Sequence, residues 1–282
     1  MTRGPFTPAT PEDPSSLLVD LIIPVLNEAH VLERSVENVR AFLAAHADWR
    51  WRVVVVDNGS TDGTDAVARM LVERHDDVRF VQLPVRGRGR ALRKAWMTSD
   101  ADILAYTDVD LSTELAALPK LVDALRHEGF DLGTGSRLLP ASQTTRSFKR
   151  EFISRAYNLL IKLVLRTSFS DAQCGFKVAS RAVVQDIVPR IADESWFFDT
   201  ELLVLAETRG YRIKDLPVRW IEDDDSRVKI VKTAWDDIKG VARLWRTRSR
   251  HTLANSPVAS AERSRQPSRG DALTDGAAKS LV

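Results

Sequence analysis

The chain has 282 residues, 44% hydrophobic and 28% charged, enough for one large domain or two small ones and too apolar for a wholly disordered chain. A single cysteine, Cys174, excludes a disulfide framework and a multi-cysteine metal cluster, and five scattered histidines (His30, His46, His75, His127, His251) argue against a zinc enzyme. The net charge of +2 conceals an imbalance: residues 137–166 and 226–250 each carry a net +6, which leaves −10 on the rest and points to an anionic partner surface, lipid or nucleic acid.

Residues 1–17, with Pro5, Pro8, Pro11 and Pro14, read as a disordered lead without the apolar run of a secretory leader. Short apolar runs at 19–25, 51–57, 78–83, 102–108 and 130–136 predict buried strands. Apolar residues at helical spacing predict helices over 28–45, 62–74, 89–98 and 115–127. This alternation implies an α/β domain over 18–225: a Rossmann-like, mostly parallel central sheet with helices on both faces. Two further amphipathic stretches are basic. Phe148–Leu165 lines up Phe152, Ile153, Leu159, Leu160, Leu163 and Val164; Val228–Trp245 lines up Val231, Trp235, Ile238, Val241, Ala242 and Trp245 beside Lys232, Lys239, Arg243 and Arg246. Tryptophan with Lys and Arg on such a helix is the pattern of a membrane-interface element over 226–248, and an ordinary packed helix with a solvated basic face gives the same pattern. Residues 249–282 have no periodicity and read as a disordered tail. No run approaches the ~20 apolar residues of a membrane span.

Polar clusters fall where strands end, the place where open α/β sheets bind ligands. Asp108-Val109-Asp110 closes a strand, and two carboxylates there can converge on a hard divalent cation. Asp57-Asn58-Gly59-Ser60-Thr61-Asp62-Gly63-Thr64 supplies a tight turn, a cap for the next helix and, in Asp57, an acceptor for a base or ribose. Gly87-Arg88-Gly89-Arg90 opens a helix like a phosphate cradle, or is a basic surface loop.

Taken together, Pro24-Val25-Leu26-Asn27-Glu28, the Asp57–Thr64 run, Gly87-Arg88-Gly89, Asp108-Val109-Asp110 and Gly135-Ser136-Arg137 resemble, in order and spacing, the family 2 glycosyltransferases of GT-A fold. Arg150-x-x-x-Ser154-Arg155-x-x-Asn158, Asp171-Ala172-Gln173-Cys174-Gly175-Phe176-Lys177, Trp196-x-Phe198-Asp199-Thr200-Glu201 and Pro217-Val218-x-Trp220 look like the polyprenyl- and dolichyl-phosphate sugar synthases, closer to the glucosyl than the mannosyl branch. The resemblance covers roughly residues 18–247. It implies that Pro24, Asn27, Glu28, Asp57, Asn58, Arg88, Asp108 and Arg227 bind a nucleotide sugar, most simply UDP-glucose, with Mg²⁺ or Mn²⁺ on Asp108 and Asp110. It implies an acceptor site of Arg137, Arg150, Ser154, Lys177, Asp199 and Glu201 for polyprenyl phosphate, with Asp110, Arg137 and Arg150 closest to the chemistry. Asn58 departs from the family's usual second aspartate, and Ala95-Trp96 stands where the family usually has glycine.

The implied reaction inverts the anomeric carbon. A phosphate acceptor is already mostly dianionic at pH 7 and needs no general base, so Asp199 and Glu201 are expected to orient basic residues or bind sugar hydroxyls, or simply to face a helix dipole. The expected setting is peripheral, at the cytoplasmic face of the cell membrane, alongside a flippase or a downstream glycosyltransferase. The rivals are GDP-mannose or UDP-N-acetylgalactosamine as donor, a hydroxyl acceptor with Asp199 or Glu201 as base, and a non-catalytic nucleotide- or nucleic-acid-binding protein. The Asp-x-Asp pair and the lack of a nucleic-acid fold motif argue against the last, so no nucleic-acid partner is expected. No Gly-x-Gly-x-x-Gly follows the first strand, which disfavours a dehydrogenase.

Overall fold

The structure, a computed structural model, describes residues 16–145, 148–221 and 230–247; the side chains at 148–150 and 230–234 fall outside that description. The expected lead (but for its last two residues), the tail, Arg227 and the Arg150 side chain therefore lie outside the described residues.

The strand and helix signals alternate as the sequence predicts: β1 (Leu18–Val25), α1 (Ala29–His46), β2 (Arg50–Asn58), α2 (Thr64–Arg74), β3 (Val78–Leu83), α3 (Arg88–Thr98), β4 (Ile103–Thr107), α4 (Ala117–His127) and β5 (Leu132–Ser136). Then follow β6 (Gln143–Thr145), α5 (Phe148–Leu165), β7 (Phe176–Ser180), α6 (Arg181–Ile187), α7 (Phe198–Thr208), β8 (Ile213–Pro217), β9 (Arg219–Ile221) and α8 (Ile230–Thr247). Seven strands form one sheet in the order β3-β2-β1-β4-β7-β5-β8, and β6 and β9 pair separately.

The inner strands β1, β2, β4, β7 and β5 are buried on both faces over most of their length, so alternate residues feed two cores. Ile22, Val54 and Leu104 meet Leu92, Trp96, Ile161, Leu203, Val241 and Leu244 on one face. Leu21, Ile23, Val53 and Ala105 meet Leu32, Val36, Leu71, Leu118 and Leu121 on the other. Through Val241 and Leu244, α8 shares the first core rather than standing apart from the domain.

One strand breaks the parallel pattern. β7 runs antiparallel between β4 and β5, with Thr107 beside Phe176 and Tyr106 beside Lys177. The sequence reading did not mark its five residues, Phe176–Ser180, as a strand. The reversal sets the functional geometry: because β7 starts where β4 ends, the loop before it, Asp171–Gly175, lies against the Asp108–Asp110 turn.

Candidate active site

At the carboxyl ends of β1 and β2 two loops are zipped together. Asn27, held at φ 58°, accepts from the Thr61 amide at 2.8 Å and donates its own amide to Ser60 Oγ at 2.8 Å. The Glu28 amide donates to Thr64 Oγ1 (2.9 Å); the N-cap of α2 is Gly63 rather than the expected Thr61 or Asp62, and Asp62 instead accepts from the Thr64 amide (3.0 Å) and from the Ala29 amide at the head of α1 (3.1 Å). Pro24 is buried inside β1 beside Val56. Asp57 is fully buried; its Oδ1 accepts from the Ser60 amide at 3.0 Å, while Oδ2 has no partner within the protein. A buried carboxylate oxygen without a donor is costly unless a ligand supplies one.

Asn58 carries a structural role. Its amide nitrogen donates to the Val25 carbonyl (2.7 Å) and its oxygen accepts from the Gly87 amide (3.1 Å), so it ties the ends of β1 and β2 to the Gly87 loop. An ionised aspartate could not donate to Val25, which explains the departure from the usual Asp-Asp sequence.

Asp108 follows β4 directly, with its side chain 43% exposed; Asp110 is exposed and its Oδ1 accepts from the Ser112 amide at 2.9 Å in a turn where Leu111 takes φ 53°. Gly175 admits Asp108 to this position. A Cβ on Gly175 would fall 2.6 Å from Asp108 Cγ and closer still to Oδ2. Two hard carboxylates at one strand tip suit Mg²⁺ or Mn²⁺, which take a few protein oxygens and complete their shells with water and phosphate.

Behind Asp108 lies a buried charge cluster. Arg88 donates to Asp108 Oδ1 at 2.7 Å and to Asp199 Oδ2 at 2.5 Å, and sits between the rings of Tyr106 (5.0 Å) and Trp196 (5.3 Å). Asp199 also accepts from the Tyr106 hydroxyl, and Lys177 Nζ lies 3.5 Å from its Oδ1. Lys177 is wholly buried and donates to the Cys174 carbonyl at 2.8 Å. Burial works to raise the Asp199 carboxyl, but Lys177 and Arg88 outweigh it and hold it below its usual range. Burial, followed by the charge of Asp199, raises the Tyr106 hydroxyl well above its usual value. Asp199 thus orients basic residues, one of the roles expected of it, and Lys177, placed in the acceptor site by the sequence reading, lies wholly buried beside it.

On the far side of Asp108 stands Arg137. Its guanidinium makes a two-point bridge to Asp171 (2.8 and 3.0 Å), and it lies 5.6 Å from the Trp220 ring centre and within electrostatic reach of Asp108. Asp171 is fully buried; desolvation pushes its pKa up, and Arg137 overrides that and lowers it. Ser154 is 8% exposed with an unpartnered Oγ, and its helix neighbour Asn158 accepts from the Ala172 amide at 2.9 Å. Glu201 is buried against Arg243 (2.6 Å) and the Asp193 amide (3.0 Å).

The motif reading assigned no task to Asp171, Tyr106 or Arg243. The one local signal was Tyr106, a tyrosine within an apolar strand; Asp171 sits in a loop and Arg243 was read as part of the basic face of its helix.

Residues 20–188 match the family described as Glycosyl transferase family 2. The chain is 36% identical over 232 residues to the glycosyltransferase AglD of Haloferax volcanii, a match covering 80% of this chain and 37% of that protein. It is 32% identical over 231 residues to a dolichyl-phosphate beta-glucosyltransferase of Drosophila melanogaster, covering 77% and 71%. Glucosyl-3-phosphoglycerate synthase from Mycobacterium tuberculosis, solved with UDP, shares the fold at a TM-score of 0.63 and 21% identity, over 88% of this chain and 86% of that one. With well over half of its length inside the family pattern, and a fold and strand-tip carboxylates to match, this chain belongs to glycosyl transferase family 2.

Proposed function

We propose that this protein transfers glucose from UDP-glucose to a polyprenyl phosphate, with inversion, giving a β-linked lipid sugar phosphate at the cytoplasmic face of a membrane. The observation that carries the reading is the pair of opposed charges around one strand tip: exposed carboxylates at Asp108 and Asp110, and the clamped guanidinium of Arg137 within electrostatic reach of Asp108. Relatives named for dolichyl-phosphate glucosylation support it, as do fold neighbours solved with UDP and Mg²⁺ or Mn²⁺.

Asp57 Oδ2 would accept from the nucleobase, completing the bond that the protein leaves open. Asp108 and Asp110 would hold the Mg²⁺ or Mn²⁺, which when bound neutralises charge on the departing diphosphate. Arg137, fixed by Asp171, would orient the acceptor phosphate, with Ser154 nearby on α5 and Arg150 and Arg227 assigned from sequence. A phosphate oxygen then forms a bond to the anomeric carbon from the face opposite the breaking bond to UDP. No proton needs removing, which agrees with Asp199 and Glu201 being committed to Arg88, Lys177 and Arg243. The same commitment disfavours a hydroxyl acceptor, which would need a free base.

The lipid surface has a matching face. α5 exposes Phe152 (74%), Leu159 (57%) and Leu163 (71%); α8, packed beside it, exposes Trp235 (60%), Ile238 (47%) and Trp245 (60%). The apolar stripes drawn from sequence divide here, since Val241 turns inward and Val164 packs against the first core. Arg155, Lys162, Arg166, Lys239 and Arg246 border the exposed residues, against Glu151 and Asp236, so an anionic bilayer is the partner of fitting charge. Among the described residues no helix is long and apolar enough to cross a membrane. The test is to mix the protein with labelled UDP-glucose, polyprenyl phosphate and Mg²⁺ and extract the lipid. A labelled, mild-acid-labile lipid is expected; no product with any UDP- or GDP-sugar would reject the proposal.

A further inference from the structure

The inner face of α8 makes three contacts that a helix merely lying on a lipid surface does not require. Gly240 rests against Phe197, so closely that a Cβ there would meet the ring Cδ1 at 2.5 Å. One turn earlier Asp237, 3% exposed, accepts from Gln173 Nε2 at 2.8 Å. One turn later Arg243 donates to Glu201 Oε2 at 2.6 Å, with its guanidinium 5.7 Å from the Phe197 ring centre.

Both polar partners belong to segments that build the site. The Gln173 amide donates to Asp171 Oδ1 at 3.1 Å, the same carboxylate that grips Arg137. Two residues beyond Gln173, Gly175 packs on Asp108. Glu201 fixes the Asp193 amide at the approach to α7, two residues after Asp199 on the helix. Meanwhile Trp235 and Ile238, flanking Asp237, face outward. A short chain of hydrogen bonds therefore runs from the inner face of α8 to the guanidinium of Arg137: Asp237 to Gln173, Gln173 to Asp171, Asp171 to Arg137.

We infer that α8 is a strut that positions the acceptor side of the site, with Asp237 acting through Gln173 and Arg243 acting through Glu201. The inference rests on the reading that Arg137 receives the acceptor phosphate. A hydrogen bond from Gln173 to buried Asp237 and a charge-assisted bond from Arg243 to buried Glu201 resist the rotation that lipid contact on the outer flank would impose, so the helix and the Asp171–Gly175 loop move as one body.

The test uses the full chain with anionic vesicles and two independent readouts: amide hydrogen exchange over 171–177, and KM for each substrate. Asp237→Ala is expected to speed exchange in that loop about tenfold and to raise the acceptor KM about tenfold, with the UDP-glucose KM within about twofold. Asp237→Asn, whose side-chain oxygen still accepts from Gln173, stays near wild type. Gln173→Leu reproduces Asp237→Ala, and the double variant is no worse than either, as for two ends of one bond. If Asp237→Ala does not fold, Gln173→Leu carries the test from the other end. Unmoved loop exchange, or equal rises in both KM values, overturns the strut while leaving the acceptor reading intact. Faster exchange in Asp237→Ala, alongside a wild-type protein that glucosylates no lipid, keeps the strut and overturns the acceptor reading.

Discussion

Gly175→Ala is the sharpest probe of the strand-tip site, because it changes one methyl group and no charge. The added Cβ falls 2.6 Å from Asp108 Cγ, whereas carbon atoms pack at about 3.5–4.0 Å, so carboxylate and loop must part by about 1 Å. Asp108 cannot retreat freely, since Arg88 holds its Oδ1 at 2.7 Å, and Gly175 sits between the Cys174 carbonyl bound by Lys177 and the start of β7. A displacement of about 1 Å at a group that orients the donor is worth about a hundredfold in rate, or ~2.7 kcal/mol of transition-state stabilisation. The assay is initial-rate transfer from UDP-glucose to polyprenyl phosphate across a range of Mg²⁺ concentrations. We expect kcat/KM to fall about a hundredfold and the Mg²⁺ requirement to rise. A useful control is Gly129→Ala, at φ 73° beyond α4 with only the mobile end of Arg212 in the way, which should cost roughly 1 kcal/mol of stability and leave turnover alone. Gly175→Ala within about threefold of wild type would refute the claim that the Asp171–Gly175 loop fixes Asp108.

Four further outcomes follow from named contacts. Asp57→Ala should raise the UDP-glucose KM at least about tenfold and leave the acceptor KM unchanged, because it removes a buried carboxylate oxygen at the strand ends that lacks a protein donor; isothermal titration with UDP checks this independently. Asp199→Asn should destabilise the fold by about 3 kcal/mol, as breaking a buried ion cluster does, yet keep the shape of the pH–rate profile; loss of an acidic limb would restore Asp199 as a base. Burial, then the nearby charge of Asp193, pushes the Asp237 carboxyl up to about 7, so the folded chain holds a proton that the unfolded chain has released. That contribution to stability is lost as pH rises from about 4 to about 7, and the Tm advantage of Asp237→Asn should therefore grow between pH 5 and pH 8; a flat difference would contradict the burial. Replacing Trp235, Trp245 and Leu163 together by Ser should weaken sedimentation with anionic vesicles at least about tenfold while circular dichroism stays the same, and undiminished binding would remove this face as the lipid contact.

The regular part of the molecule was legible in the sequence. Buried parallel strands announce themselves as short Val- and Ile-rich runs, and the strand-end polar clusters mark the binding edge before any coordinates are known. Asp108, Asp110 and Arg137 needed only motif and position. What stayed hidden was the partnering of side chains far apart in sequence. Arg88 meets Asp199 across 111 positions, and Tyr106 meets the same carboxylate across 93. Nothing local tells a buried lysine such as Lys177 from one that reaches a ligand, since both sit in the same kind of motif. The structural role of Asn58 stayed hidden for a related reason: its amide is matched to the carbonyl of Val25 and the amide of Gly87, and such complementarity exists only once those segments meet. The orientation of β7 was equally silent, because strand direction is set by the connection before it and not by its own five residues.

That reversed strand also dictates when the molecule can first work. A growing polypeptide that has emerged only as far as Thr107 can complete the β3-β2-β1-β4 half, including the Asp57 recess, but the outer edge of β4 still awaits residues 176–180. The last wall beside Asp108 arrives about seventy positions later, after the whole of α5 has been made, and closing so long a detour is entropically slow. The Asp57 recess and the wall beside Asp108 thus form at different moments of synthesis.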